Sequence, residues 1–310
     1  MIFLHIGLNK SGSSSIQAFC DRHRQVLHEH GLDYPRVGIH DAAHYGVSKR
    51  LIGRPDAAQV PDADGLEKAL REALGAGRHV LLSSEYFFLA NDAEVARIHE
   101  LLANFGTECR IVIYLRRHDQ WIASLFNQAL KTVPRYSPWQ SDIRDYTLHL
   151  LGNREIEMRY PVILDRWAKH FGAEAMIVRP FEAAQFLDGD FVWDFLSNID
   201  SGLPPALKGR GLVPQRVNES VPEHVLRAVD AVRASGIDPD AAKVAISQLL
   251  RARGGTGAAG AAKHPKRAWD GRLFELTPPL RKSIVRMFAA DYEYVARQYV
   301  PVAPPALFNE

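Results

Sequence analysis

The sequence predicts an α/β protein, a three-layer sandwich around a central parallel sheet with a helical C-terminal cover. Four short, apolar, β-branched runs alternate with segments of helical periodicity, the pattern of parallel strands covered on both faces. The first run opens onto a glycine- and serine-bearing loop and then a helix. Beyond about Ser197 strand signals cease while helical ones continue.

Taken in order, Ile2 to Leu8 reads as a buried strand ending near a glycine. A helix from Ser14 to Glu29 follows, with Ile16, Phe19, Val26 and Leu27 near helical spacing. Leu32 to Pro35 is a short edge strand, Ala42 to Ile52 a helix, and Pro55 to Gly65 a polar loop. A helix over Leu66 to Leu74 stops at Gly75–Gly77 before the strand His79 to Ser83. Next come a helix Ala93 to Phe105, a strand Arg110 to Leu115 and a helix Asp119 to Leu130. The last strand, Ala175 to Pro180, follows a helix over Val162 to Phe171. Helices are then expected at Pro222 to Ala234, Asp240 to Arg253 and Pro279 to Tyr299, with a Gly/Ala-rich stretch at Gly254 to Ala262. The chain reads as one domain, 1–310, with an α/β core over 1–200 and a helical cover over 201–310.

Composition narrows the function classes. With 310 residues, 46% of them hydrophobic, the chain can bury a sizeable core. Lys+Arg 38 against Asp+Glu 36 leaves a formal charge of +2, so no basic face for nucleic acid is advertised. Cys20 and Cys109 stand far apart without CxxC or Cys/His spacing, which argues against a disulfide framework or a zinc site. No metal-ligand constellation stands out elsewhere, so no metal is expected. The apolar start is too short for a signal peptide, and no window approaches the ~20 apolar residues of a membrane helix. The expectation is a cytoplasmic protein not integral to a membrane.

The strongest local signal is strand–loop–helix over His5 to Ile16. Amides of such a loop point inward, and the helix N-terminus adds roughly half a positive charge. Gly7 and Gly12 allow a tight path, Ser11, Ser13, Ser14 and Ser15 carry hydroxyls, and Lys10 is the one full cation. This is a P-loop-like phosphate loop. It departs from GxxxxGK[ST], because Ser13 follows Gly12 and the lysine lies two residues before that glycine.

Lys10-Ser11-Gly12-Ser13-Ser14-Ser15 resembles the KSGTT or KTGTT loop of sulfotransferases that use 3′-phosphoadenosine-5′-phosphosulfate. It is most similar to the bacterial branch opening HIGxxKTGTTxxQ, to which His5, Gly7 and Gln17 also conform. Arg179-Pro-Phe-Glu182, Gly189 to Leu196, Arg216 to Ser220 and the Ala296 to Phe308 ending look like the same branch. The resemblance implies that Lys10 to Ser15 hold the 5′-phosphosulfate. It implies that Arg116, after a strand, and Ser124, eight residues on, hold the 3′-phosphate. It implies transfer of a sulfuryl group, without metal, to a hydroxyl or amine of a carbohydrate, lipid or small molecule, releasing 3′-phosphoadenosine-5′-phosphate. Lys10 then serves the leaving oxygen.

Two residues are candidates for the base. Glu85 ends the strand Val80 to Ser84 at the edge where ligands gather in parallel sheets, and its place is similar to that of the glutamate base of glycan-modifying sulfotransferases. His44, in His40-Asp-Ala-Ala-His44-Tyr45, is the alternative, because imidazole suits base work near neutral pH. Arg135, Tyr136, Trp139 and the cluster Lys263, His264, Lys266, Arg267 are expected in loops that could meet the acceptor. Competing readings are a P-loop kinase or NTPase, which would want a lysine directly after Gly12, and a non-catalytic nucleotide-binding protein, against which Lys10, Arg116 and Ser124 argue.

Overall fold

The computed structural model describes residues 1–53, 65–131, 142–215, 223–235, 237–252, 273–300 and 306–309. The Arg135, Tyr136 and Trp139 loop, the Gly/Ala-rich stretch with the Lys263–Arg267 cluster, and Arg216 to Ser220 lie outside the described residues. The chain forms two compact units that interleave in sequence. The first holds 1–117, 159–218 and 288–310, and the second 118–158 and 219–287.

The strands are β1 (Ile2–Ile6), β2 (Leu32–Asp33), β3 (His79–Ser84), β4 (Cys109–Leu115) and β5 (Met176–Pro180). The helices are α1 (Ser13–Arg22), α2 (Arg24–Glu29), α3 (Tyr45–Leu51), α4 (Leu66–Gly75), α5 (Asp92–Ala103), α6 (His118–Lys131) and α7 (Ile143–Asn153). They continue with α8 (Tyr160–Phe171), α9 (Phe191–Ser197), α10 (Leu203–Gly209), α11 (Glu223–Ala234), α12 (Pro239–Ala252), α13 (Pro278–Met287) and α14 (Ala289–Tyr299).

The first unit is α/β, with a five-stranded parallel sheet in the order β2-β3-β1-β4-β5. Placing β1 at the centre explains its composition. Ile2, Leu4 and Ile6 on one side, and Phe3 and His5 on the other, are all buried, so alternation of polar and apolar residues has no use there. Phe3 aligns with Leu81, and His5 with both Ser83 and Val112. Phe3, Leu81, Val112 and Tyr114 pack with Ile16 and Phe19 of α1, Phe195 and Leu196 of α9, and Leu203 and Leu207 of α10. Helix α8 lies against β4, β5 and α5. Each fully buried Leu, Ile or Phe contributes about 1.5–3 kcal/mol relative to exposure.

An ionic knot seats α9. Asp194 is buried, accepts from the Arg179 guanidinium at 2.9 Å and from the Tyr114 hydroxyl at 2.5 Å, and so ties the helix to β5 and β4. Asp190 caps the same helix through the amides of Val192 and Trp193. Phe191 is thereby fixed beneath the β1–α1 connection.

Three boundaries differ from the periodicity. The helix expected from Ser14 to Glu29 breaks at His23, which leaves helical geometry at φ −108°, ψ 21° while its ring meets Phe19 at 4.7 Å. Helix α3 starts only at Tyr45, because Asp41 and Ala42 take left-handed φ of 48° and 66°. That turn is closed by paired backbone bonds between His40 and Ala43 at 2.9 and 3.0 Å. The helix expected over Pro279 to Tyr299 breaks at Phe288, and its halves belong to different units.

In the second unit, α11 packs on α6 and α12, and α13 on α6. Asp142 caps α7 and accepts from the Leu273 amide at 3.0 Å. Among the described residues no helix is long and apolar enough to cross a membrane. Among them, no group of three or more His, Cys, Asp or Glu is placed to hold a metal.

Candidate active site

The β1–α1 loop emerges at the C-terminal edge of the sheet, beside the end of β3. The Gly7 amide donates to the Ser84 carbonyl at 3.2 Å, which carries the β1–β3 pairing one residue further. A Cβ on Gly7 would lie 2.7 Å from Ser13 Oγ and 3.3 Å from Glu85 Cγ. The missing side chain is what lets Glu85 rest against the loop. Ser11 N and Ser13 Oγ both donate to the Leu8 carbonyl, at 3.2 and 3.4 Å.

Two residues of the loop are left-handed, Lys10 at φ 66° and Gly12 at φ 83°. Gly12 caps α1, and the first amides of that helix, at Ser13 and Ser14, have no intrahelical carbonyl to bond. Ser11 Oγ is buried and has no hydrogen-bond partner among the described residues. An orphaned buried hydroxyl costs about 1–3 kcal/mol.

Beneath the loop lies an aromatic floor. Phe181 and Phe191 meet edge to face at 4.8 Å, and a Cβ on Gly12 would lie 2.2 Å from the edge of the Phe191 ring and 2.7 Å from Phe181. Gly12→Ala is therefore expected to destabilise the protein by about 2–4 kcal/mol, through left-handed strain plus overpacking. A urea midpoint unchanged by this substitution would show that the floor is not in contact.

Two cations converge on the loop. Arg116 directly follows β4, its Nη1 donates to the Lys10 carbonyl at 2.6 Å, and its guanidinium lies 5.5 Å from the Phe181 ring centre. The Arg116 carbonyl accepts from the Tyr160 hydroxyl at 2.6 Å. Burial lowers the pKa of the Lys10 ammonium, and the nearby Arg116 charge lowers it further. Ser124 lies on α6, in the second unit.

Glu85 opens a short 3-10 turn after β3 that Ser84 caps through the Tyr86 amide at 3.2 Å. Its Oε2 accepts from Gln17 Nε2 at 3.1 Å, and its carboxylate also takes the Tyr45 hydroxyl. The Tyr45 pKa is pushed up by burial first and then by the Glu85 charge. Gln17 Nε2 also donates to Ser83 Oγ at 3.2 Å, and Ser83 Oγ lies 2.8 Å from His5 Nδ1. Burial lowers the His5 pKa to about 3, so the ring is neutral, and its Nδ1 shares one hydrogen bond with the Ser83 hydroxyl. The polar chain His5–Ser83–Gln17–Glu85 thus runs from the sheet interior to the loop.

His44 belongs to the core. It is fully buried, its Nδ1 accepts from the Ser83 amide at 3.2 Å, and its Nε2 donates to the Pro35 carbonyl at 2.9 Å. Both ring nitrogens are taken by backbone, and burial lowers its pKa to about 3. This imidazole fastens the His40–Ala43 turn to β3 and has no nitrogen left to receive a substrate proton.

The structure brings Lys10, Ser11, Gly12, Ser13, Arg116 and Glu85 together in the first unit. Five contributors carry no role in the sequence reading. Gln17 and Tyr45 hold Glu85, Phe181 and Phe191 floor the loop, and Tyr160 pins Arg116. Gln17 matches the last position of the HIGxxKTGTTxxQ opening and lies about one helical turn beyond the serines, the two signals that point to it.

The fold and these contacts define an α/β protein with a cationic, glycine-bearing loop between the central strand and its helix. No family model matches the chain. An uncharacterized protein of Archaeoglobus fulgidus is 27% identical over 153 residues, covering 46% of this chain and 39% of that protein. The chain therefore matches well under two thirds of that relative's length.

Proposed function

We propose that the protein is a sulfotransferase that moves a sulfuryl group from 3′-phosphoadenosine-5′-phosphosulfate to an acceptor hydroxyl. The observation that carries the reading is that one loop gathers Arg116 on the Lys10 carbonyl, the left-handed Gly12 at the α1 N-terminus, the orphaned Ser11 hydroxyl and, at Gly7, Glu85. The sheet with both faces buried supports a three-layer sandwich, and the left-handed Gly12 at the head of α1 supports a P-loop-like loop. Lys10 to Ser15 would hold the 5′-phosphosulfate, and Arg116 would contribute to holding the 3′-phosphate.

In the reaction the acceptor oxygen attacks sulfur, its proton passes to Glu85, and the bond from sulfur to the bridging phosphate oxygen breaks. Lys10 and the loop amides neutralise the charge that develops on that oxygen. The products are the sulfated acceptor and 3′-phosphoadenosine-5′-phosphate. Gln17 and Tyr45 hold the Glu85 carboxylate while leaving lone pairs for the incoming hydroxyl. His44 takes no part, and the acceptor is a carbohydrate, lipid or small molecule.

The test is calorimetry with 3′-phosphoadenosine-5′-phosphate in the absence of magnesium. Binding is expected, with AMP at least about tenfold weaker because one charge-assisted phosphate contact set is missing. No binding, or ATP binding that requires magnesium, would replace this reading with a kinase or NTPase.

A further inference from the structure

We infer that Arg116 is a positioning residue for the 5′ end of the ligand: by holding the Lys10 carbonyl it keeps the loop in its anion-receiving shape. The inference rests on the proposed donor. It gives Arg116 a task separate from any contact with a 3′-phosphate.

Lys10 is a non-glycine residue in the left-handed region, at φ 66°. Such a conformation is unfavourable for an L-residue and persists only where its surroundings hold it. Its carbonyl accepts from Arg116 Nη1 at 2.6 Å, a short, charge-assisted bond. The arginine is itself well anchored. Its carbonyl takes the Tyr160 hydroxyl at 2.6 Å, and the preceding Leu115 carbonyl takes the Phe181 amide, also at 2.6 Å. Its guanidinium lies on Phe181, the same ring that closes over Gly12. One aromatic side chain therefore supports both the arginine and the loop's second left-handed residue.

The electrostatics point the same way. A carbonyl oxygen at the lip of an anion site repels the ligand, and a guanidinium on that oxygen cancels its partial charge. The same guanidinium crowds the Lys10 ammonium, and a bound anion relieves that crowding. Arg116 thus shapes the loop and favours its occupation, whatever the far end of the ligand carries.

Two ligands separate this role from a 3′-phosphate contact. For wild type and Arg116→Ala, affinities are measured for 3′-phosphoadenosine-5′-phosphate and for AMP, with thermal unfolding confirming that the variant is folded. The expected result is a loss of about ten- to a hundredfold for AMP, the scale of one charge-assisted hydrogen bond. AMP affinity unchanged in the variant, with only the bisphosphate weakened, overturns the inference and leaves Arg116 as a 3′-phosphate ligand alone. Equal wild-type affinity for the two ligands, both lost in the variant, supports the loop role while removing the case for the sulfuryl donor. Wild type that binds neither ligand overturns both. Should Arg116→Ala fail to fold, Arg116→Gln, which lacks the charge but keeps a donor, is judged by the same two affinities.

Discussion

Glu85→Gln is expected to lower turnover by about 10²- to 10⁴-fold while leaving affinity for the sulfuryl donor within about threefold. The amide has the shape of the carboxylate, and its carbonyl oxygen can still accept from Gln17 and Tyr45, which hold Glu85 in the native site. The variant loses only the capacity to take a proton. The rate is read as single-turnover release of 3′-phosphoadenosine-5′-phosphate in the presence of sugars, simple alcohols and lipid headgroups as acceptors. Turnover that survives the substitution would remove Glu85 as the base. His44 would not replace it, because both of its ring nitrogens are bonded to backbone.

Stability is expected to fall steeply in mild acid. Burial holds His5 and His44 at a pKa of about 3, against 6.5 for an exposed histidine. Below pH 6.5 the unfolded chain takes up these protons and the folded one does not, so the stabilisation is complete above 6.5 and disappears progressively toward 3. The slope approaches about 1.4 kcal/mol per pH unit for each histidine, or about 3 for the pair. Set against a total of about 5–15 kcal/mol for an ordinary domain, two pH units remove a large share. Burial holds His118, in the second unit, at about 3 as well. Urea midpoints at pH 7.5, 6.5, 5.5 and 4.5 measure the slope, and His44→Gln should flatten it by removing one titrating group. Midpoints that stay constant from pH 7.5 to 4.5 would show that these rings ionise freely in the folded protein.

What the sequence makes legible follows from how locally each feature is encoded. The strands are readable because burial on both faces demands continuous apolar runs, and the run Ile111 to Leu115 is buried throughout. Helix breaks are not readable at His23 and Phe288, since apolar spacing continues through both. The His40–Ala43 turn is hidden for a different reason. Asp41 and Ala42 adopt left-handed angles that tertiary bonds impose, among them the Tyr34 hydroxyl on the Ala42 carbonyl at 2.7 Å. Helix α10 carries Pro204 and Pro205 in its first turn, where proline is tolerated, though read alone they mark a loop.

The site divides in the same way. Residues 10–15 concentrate their chemistry in one contiguous stretch, so the loop stands out. Tyr45, Phe181, Phe191 and Tyr160 come from four distant segments, and only folding brings them to Glu85, Gly12 and Arg116. His44 shows the converse. A histidine before a tyrosine looks like chemistry, yet its two backbone bonds make it a fastener.

The aromatic floor under Gly12 also bears on how a ligand is captured. With Phe181 and Phe191 filling the space below, the loop cannot sink toward the sheet. Its conformational entropy is lost when the chain folds, so little ordering remains for the moment of binding. On the proposed reading an anion would meet a loop already shaped, and its association rate should depend on diffusion and ionic strength, with no slow closing step behind the encounter.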